Sequence, residues 1–473
     1  MSNYEGIEFN KELAVTPTPI DGLLVVDLNV RDDNRGWFKE NWQKEKMVAL
    51  GLPEDFEPVQ NNISYNTMRG ATRGLHAEPW NKFVSIGKGR IFGAWCDLRE
   101  GSATFGQSFT AELDASKAIF VPRGVANGFQ TLEDDTVYTY LVDDHWSEGG
   151  EYSFVNLADE TLAIDWPIPL SEAEMSDKDK NHPRLADVTP LPPKKVLITG
   201  ASGQLGKALL ELYPDAECVD RDTFDIADES VLTARRWKDY GLILNAAAYT
   251  AVDVAETPEG RVEAWRANNV GVANLAKIAL ANNITLVHVS SDYVFDGTVS
   301  PHTEDEPFSP LSVYGQTKAA GDTAASIAPK HYVVRTSWVV GDGNNFVRVM
   351  LDLAKKGIGP KVVDDQIGRL TFTEDLAAGI KHLVDSKAPF GTYNLSNEGG
   401  PVSWYDIASE IYDAAYERKN VTPVSTEQYY AGKEGIAPRP RKSTLDLSKI
   451  KATGFTPRDW HEALKEYLEK NNG

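Results

Sequence analysis

Cysteine is nearly absent from this chain of 473 residues, which carries two, Cys96 and Cys218. They lie far apart and form no Cys-x-x-Cys pair, which excludes a disulfide scaffold and a thiolate zinc site and fits a reduced, cytoplasmic setting. No run of about 18 apolar residues exists, so no membrane-spanning helix is predicted. The opening MSNYEGIEFNKELA is polar and unlike a secretory leader. Positive charge is also short: 48 Lys and Arg against 70 Asp and Glu leave a net charge of −22. With no basic run to set against that field, nucleic acid and membrane surfaces are excluded as partners. Repeats and low-complexity tracts are missing too. The hydrophobic content of 41% can build the cores of two to four domains, so a disordered or fibrous protein is ruled out.

Two grammars divide the chain. From residue 20 to about 157, short runs rich in Val, Ile, Phe, Tyr and Thr (LLVVDLNV, KFVSIGKGRIFGAWCDL, FGQSFTAEL, AIFVPRG, TVYTYLVDD) are punctuated by Gly, Asn and Asp, the spacing of an all-β jelly roll or barrel. VTPLPPKK then reads as a Pro-rich linker over 188–195, separating a domain over 1–187 from one over 196–473. Beyond it, strand candidates VLITG, LILNAAA, TLVHVSSD and HYVVRTSW alternate with amphipathic helices such as QLGKALLELY and VANLAKIALANN, the pattern of a doubly wound α/β sheet. The last third turns irregular and then helical, which predicts a small lobe packed on that sheet.

Gly200-Ala-Ser-Gly203-Gln204-Leu205-Gly206 follows a predicted strand and opens a predicted helix, where glycines admit a pyrophosphate to the free N–H groups of the helix start. The Gly-x-x-Gly-x-x-Gly spacing points to a Rossmann domain of the short-chain dehydrogenase type. Asp220, at the end of AECVD, is placed to accept from a ribose hydroxyl, while Arg221 could meet a 2′-phosphate, so NADPH and NADH both stay open. Tyr314 and Lys318 stand four residues apart, on one face of a helix, where the ammonium favours the phenolate and lets the phenol exchange a proton near neutral pH. Ser291, ending TLVHVSSD, adds a hydroxyl for the same substrate oxygen. A glycine loop can be a plain turn and Tyr-x-x-x-Lys an ordinary surface pair; the order and separation of all three give them weight.

The segments ITGASGQLG, NAAAYTAVDVAE, VSSDYVFDG, VYGQTKAAG, RTSWVVG, GNNFVRVML and DDQIGRLTFTEDLA resemble the dTDP-4-dehydrorhamnose reductase family over 194–473. The resemblance implies an extended short-chain dehydrogenase fold with a substrate lobe. It also implies reduction of the C4 ketone of dTDP-6-deoxy-L-lyxo-4-hexulose by NAD(P)H to dTDP-L-rhamnose. It makes Tyr314 the proton donor, Lys318 its activator and Ser291 the third member, where the family more often has Thr. Asp225, Ile226, Asn245, Ala246, Ala247 and Tyr249 then join the cofactor site, and Tyr293, Trp338, Asn345 and Arg439 the sugar-nucleotide site. Gly368-Arg369-Leu370-Thr371 departs from the family, which commonly has Pro before the Thr. Relatives can hold Mg²⁺ at a dimer contact; the sequence identifies no ligands for it.

In the first half, Arg73-Gly-Leu-His76 follows a β-like run and Lys82 lies on the next strand. Removing a C–H proton beside a ketone needs a base and an oxyanion partner, which His and Lys or Arg supply. A structural histidine fits the same residue, and a metal site lacks its His-x-His pattern. NRGWFKENW, VQNNIS, TRGLHAEPWNKFV, GSATFGQSFTAEL, FVPRGVANGF and DETLAIDWP resemble dTDP-4-dehydrorhamnose 3,5-epimerase over about 15–185. The resemblance implies a cupin-like fold, with His76 as general base, Asp159 as its orienting carboxylate and Tyr140 as general acid. Arg73 and Lys82 would serve as oxyanion and phosphate contacts, and Arg35, Gln60 and Asn62 would hold the nucleotide. It further implies a homodimer through the barrel. The family has His where this chain has Asn127 and Asp where it has Gly93. Two consecutive steps in one chain make a bifunctional enzyme the favoured expectation. The alternatives are a reductase with a non-catalytic barrel, and a C-terminal half that only senses NAD(P).

Overall fold

A computed structural model describes residues 7–148, 150–416 and 421–471. The chain divides into two units, one up to Pro193 and one from Lys194. Among the described residues no helix is long and apolar enough to cross a membrane.

The first unit stacks two antiparallel sheets. One has six strands in the order Ala14–Pro17, Leu24–Asp27, Lys117–Val121, Lys82–Lys88, Thr136–Val142 and Gln60–Asn66; the other runs Ser153–Phe154, Thr72–Ala77, Val125–Thr131, Ile91–Asp97 and Ser108–Leu113. Val84, Ile86, Ile119 and Tyr138 from the first meet Ile91, Trp95, Val125 and Phe129 from the second in one core. Alternate residues point the other way, yet they too are covered. Phe83 and Phe120 pack under Met47 and Phe56, and Ala94, Cys96 and Ala126 under Val155, Leu157 and Leu162. That double covering explains why the central strands read as nearly continuous apolar runs rather than alternating ones.

The segment expected as a linker is bound to this first unit through most of its length. Ser153 donates to the Thr189 carbonyl, Leu191 exchanges backbone hydrogen bonds with Leu98 and Glu100, and Arg123 donates to the Pro192 carbonyl. Proline content signals stiffness but is blind to such docking.

The second unit is built on a six-stranded parallel sheet ordered Glu217–Val219, Lys195–Thr199, Tyr240–Asn245, Thr285–Ser291, His331–Thr336 and Gly391–Asn394. The period of two assigns each strand's residues to opposite helical layers. Leu197, Ile243, Leu286 and Val333 pack with the helix Gly271–Asn282, whereas Ile198, Leu244, Val287 and Val334 pack with Gln204–Leu212 and Thr373–Asp385. A third core joins the helices Phe346–Lys355, Trp404–Tyr416 and Trp460–Asn471 into the lobe foreseen from the sequence. Strand order reverses beside Lys195–Thr199, so the glycine loop that follows it opens at the switch point where such sheets bind ligands.

Candidate active sites

The first unit holds an open cavity of about 570 Å³, lined among others by Arg73, His76, Lys82 and Tyr140. Three strands deliver these side chains. Arg73 and His76 stand on Thr72–Ala77, and His76 lies opposite Asn127 on one side and Phe154 on the other. Tyr140 comes from Thr136–Val142, which pairs with the strand that starts at Lys82 and places the Lys82 ammonium 5.6 Å from the Tyr140 ring. Lys82 also meets Glu78 at 2.5 Å, a carboxylate in the cavity wall that sequence reasoning missed. Burial and Glu78 push the Tyr140 phenol up, with Arg73 opposing, which keeps it in the proton-bearing form that a general acid needs.

The orienting carboxylate is not Asp159. His76 Nε2 lies 2.8 Å from Asp179 Oδ1, while Asp159 caps a short 3₁₀ turn, accepting from the Thr161 and Leu185 backbone N–H groups. Burial raises the Asp179 pKa and the hydrogen bond from His76 lowers it, the net result being below the usual range. Asp179 belongs to the one-turn helix Asp177–Lys180. Its surroundings, SDKDKNHP, look like a solvated charged stretch, and only the tertiary fold turns that stretch toward His76. Arg35, Gln60 and Asn62 do not line the cavity. Arg35 is bound to Asp33 on an exposed hairpin, and Gln60 donates to Asn62 along the edge strand Gln60–Asn66.

The two departures at Asn127 and Gly93 prove to be one feature. Trp95 donates its indole N–H to Asn127 Oδ1 at 2.9 Å, and Asn127 Nδ2 lies 3.0 Å from the Tyr138 hydroxyl. A Cβ at position 93 would sit 2.2 Å from the Trp95 ring. The tryptophan occupies the room that any side chain at 93 would need.

In the second unit, Gly200 holds φ +69°, and a Cβ there would lie 2.7 Å from Ala247; one at Gly206 would lie 2.2 Å from the Gly200 carbonyl. The loop is thus as narrow as a pyrophosphate cradle requires, and Gly203 caps the following helix with no side-chain acceptor over its N-terminus. Asp220 sits beside it, accepting from Ser202 N at 3.1 Å and Ser202 Oγ at 3.0 Å. A cavity of about 110 Å³ runs past Gly200, Asp220, Arg221, Asp225, Ile226, Ala247 and Tyr249. Arg221 is held by Glu263 at 2.6 Å. Donor set and cradle together fit a dinucleotide.

Three expected cofactor residues use their side chains elsewhere. Asn245 is buried between Thr199 and His288, which leaves only its backbone near the loop. Leu205 packs into the core under the sheet, and Gln204 accepts from the Gly341 N–H. Ala246 is tied by its N–H to the Thr199 carbonyl. All four remain at the strand ends or helix start where their main chain frames the cradle.

Ser312 caps the helix Val313–Ala325, whose first turns carry Tyr314 and Lys318. Ser291 hydrogen-bonds Tyr314 and also donates to Asp292 Oδ1. The expected activation of the phenol by Lys318 is not found. Burial and Asp292 push Tyr314 up, against Ser291, and the Lys318 ammonium donates at 2.7 Å to the Val289 carbonyl. Burial lowers Lys318 to about 8, with Asp322 opposing. Sequence spacing captures the i, i+4 geometry but not the desolvation that dominates here. A separate cavity of about 250 Å³ carries Tyr293, Trp338 and Arg439, with Trp338 stacked on Trp404 at 3.7 Å. Arg439 pairs with Asp253 at 2.9 Å. Asn345 faces away from that cavity: it caps Phe346–Lys355 and binds the Gly341 carbonyl and Tyr467.

Among the described residues, His76, Asp179 and His182 are the one group whose ligating atoms lie within 4.8 Å of one another. The carboxylate oxygen already receives both rings, so the cluster is a satisfied hydrogen-bonded triad.

Comparison with known proteins matches residues 17–187 to the family dTDP-4-dehydrorhamnose 3,5-epimerase and residues 194–472 to the RmlD substrate binding domain. A protein described as an RmlC homolog from Streptococcus pyogenes is 53% identical over 193 residues, covering 39% of this chain and 96% of that protein. The dTDP-4-dehydrorhamnose reductase of Aggregatibacter actinomycetemcomitans is 39% identical over 293 residues, covering 57% and 97%. The crystal structure of the Bacillus anthracis reductase in complex with NADP is 34% identical, with a TM-score of 0.54, over 59% of this chain and all of that one. The chain therefore belongs, in its first unit, to the dTDP-4-dehydrorhamnose 3,5-epimerase family and, in its second, to the dTDP-4-dehydrorhamnose reductase family.

Proposed function

We propose that this chain performs two consecutive steps of dTDP-L-rhamnose formation: epimerisation of dTDP-4-dehydro-6-deoxy-D-glucose at C3 and C5, then reduction at C4. The observation that carries the reading is that each unit of one polypeptide holds a separate acid–base centre of the kind its own step requires. In the barrel, Asp179 holds the His76 Nε2–H, leaving Nδ1 to take a proton from carbon. Lys82 and Arg73 are cationic partners for the enolate oxygen, and Tyr140, in the wall of the same cavity, returns a proton. The two facing antiparallel sheets support a jelly-roll, cupin-like description of this unit.

In the second unit, Gly200, Gly203 and Gly206 with Asp220 would hold NADPH or NADH, which supplies a hydride to C4 when bound. Tyr314 donates the proton to the resulting alkoxide; its raised pKa keeps the phenol charged with that proton at neutral pH. Ser291 orients the same oxygen, and Lys318 adds positive charge behind it. Tyr293, Trp338 and Arg439 would hold the sugar nucleotide. Asp220 favours NADH through a ribose hydroxyl, and Arg221 favours NADPH if it leaves Glu263.

Arg35, Gln60 and Asn62, stranded outside their own cavity, suit a barrel homodimer in which they serve a second copy. The two free cysteines suit a cytoplasmic enzyme. The deciding experiment supplies dTDP-4-dehydro-6-deoxy-D-glucose with NADPH or NADH in D₂O. NMR of the product should show dTDP-L-rhamnose deuterated at C3 and C5. Unlabelled or unepimerised product would refute the barrel's role, and no oxidation of either cofactor would refute the second unit's.

A further inference from the structure

The carboxylate behind His76 has a second donor that no motif signalled. Asp179 Oδ1 lies 2.8 Å from His76 Nε2 and 3.2 Å from His182 Nε2, so one oxygen faces both rings. The His182 side chain is only 5% exposed, and its ring is stacked on Phe154 at 4.8 Å and 9° and set perpendicular to His76 at 5.3 Å. Its backbone is fixed as well, because Asn156 Nδ2 donates to the His182 carbonyl at 2.9 Å. A neutral imidazole nitrogen facing a carboxylate oxygen must carry the proton, since two acceptors would repel. Burial and the proximity of His76 hold His182 below the usual histidine range, in that neutral form.

Asp179 needs such a restraint. It rides on a single helical turn, Asp177–Lys180, whose backbone alone gives a side chain little orientation. Within the one-turn helix its N–H is bound by Ser176 Oγ. His182 closes the other side.

We propose that His182 is a positioning residue for epimerisation: its Nε2–H pins Asp179 Oδ1, so that the carboxylate holds His76 in the tautomer with Nδ1 free to accept a proton. His182 lies behind His76 and acts on the sugar only through Asp179. The inference rests on the epimerase reading above.

The test measures solvent deuterium incorporation into dTDP-4-dehydro-6-deoxy-D-glucose by the full-length protein, its His182→Phe variant and its His182→Gln variant. Phe keeps the stack on Phe154 and loses the donor; Gln can return an N–H near the Nε2 position. For His182→Phe, kcat for exchange should fall about 10- to 100-fold, the scale of misplacing a catalytic group by up to about 1 Å, with KM within about twofold. His182→Gln should recover most of the loss. An unchanged kcat in His182→Phe overturns the proposal, and so does a His182→Gln variant as slow as His182→Phe, which would assign the role to the ring rather than to its N–H. A KM that rises with the fall in kcat would assign it to general packing of the cavity and equally overturn it. If the unmodified protein exchanges no deuterium, the epimerase reading itself fails, an outcome distinct from all of these.

Discussion

Both units bring a phenol and an ammonium together, yet the two pairs are built in opposite ways. In the barrel, Lys82 faces Tyr140 across neighbouring strands, is matched by Glu78, and opens on a cavity of about 570 Å³ beside a histidine with its own carboxylate. In the second unit, Tyr314 and Lys318 follow one another on a helix, are both under 10% exposed, and Lys318 spends its proton on a backbone carbonyl. The difference follows the chemistry. Epimerisation takes and returns protons, so the protein must furnish base, acid and oxyanion support together. Reduction imports its hydride, and the protein keeps only the proton-delivering half.

Separating the two centres by mutation gives the largest expected effects. His76→Ala should cut deuterium exchange by about 10²- to 10⁴-fold, the usual worth of a general base, and leave reduction of an already epimerised sugar intact. Tyr314→Phe should do the reverse, to a similar extent, in cofactor oxidation. A variant that silences both steps would break the separation. The carboxylate assignment sharpens the barrel side. Asp179→Asn should slow exchange about 10- to 100-fold by loosening His76, whereas Asp159→Ala should cost about 1–2 kcal/mol of barrel stability as a lost cap and leave exchange per folded molecule unchanged. Chemical denaturation alongside the exchange assay reads both.

The pH dependence sharpens the other side. Burial disfavours the charged form of Lys318, so its proton leaves near pH 8 rather than above 10. Reductase kcat/KM, which reports the free enzyme, should therefore fall as pH rises through about 8. Lys318→Arg, which stays charged, should lose that alkaline limb, whatever its absolute rate. A change confined to packing, Gly93→Ala, should lower barrel stability by about 1–3 kcal/mol through overpacking against Trp95, visible as a reduced melting temperature.

Legibility in the sequence tracked locality. The glycine loop, the Tyr314/Lys318 spacing and the switch from short β runs to alternating strands and helices are all written within a few turns of chain, and each reappears in the structure. Asp179 is not legible in this way, because its meaning arises only when the segment after Asp159 folds back over the strand carrying His76. The side-chain roles of Asn245 and Asn345 are hidden from the sequence for a related reason. Polar residues near a site look functional in sequence, but both are consumed by the fold, one bridging Thr199 and His288 and the other capping a helix. Tyr314 shows a third limit: spacing gives proximity, while burial decides which protonation state proximity produces.

The contact between Gly93 and Trp95 also constrains the history open to this barrel. With the indole in place, 2.2 Å from where a Cβ would start, position 93 cannot gain a side chain by a single step without a clash. Trimming Trp95 first would empty a core site and strand the Asn127 amide that accepts its N–H. Either change made alone therefore weakens the core. Positions 93, 95 and 127 are in contact, so the effect of a substitution at any one depends on the other two, and variants made singly will not add up to the effect of exchanging all three together.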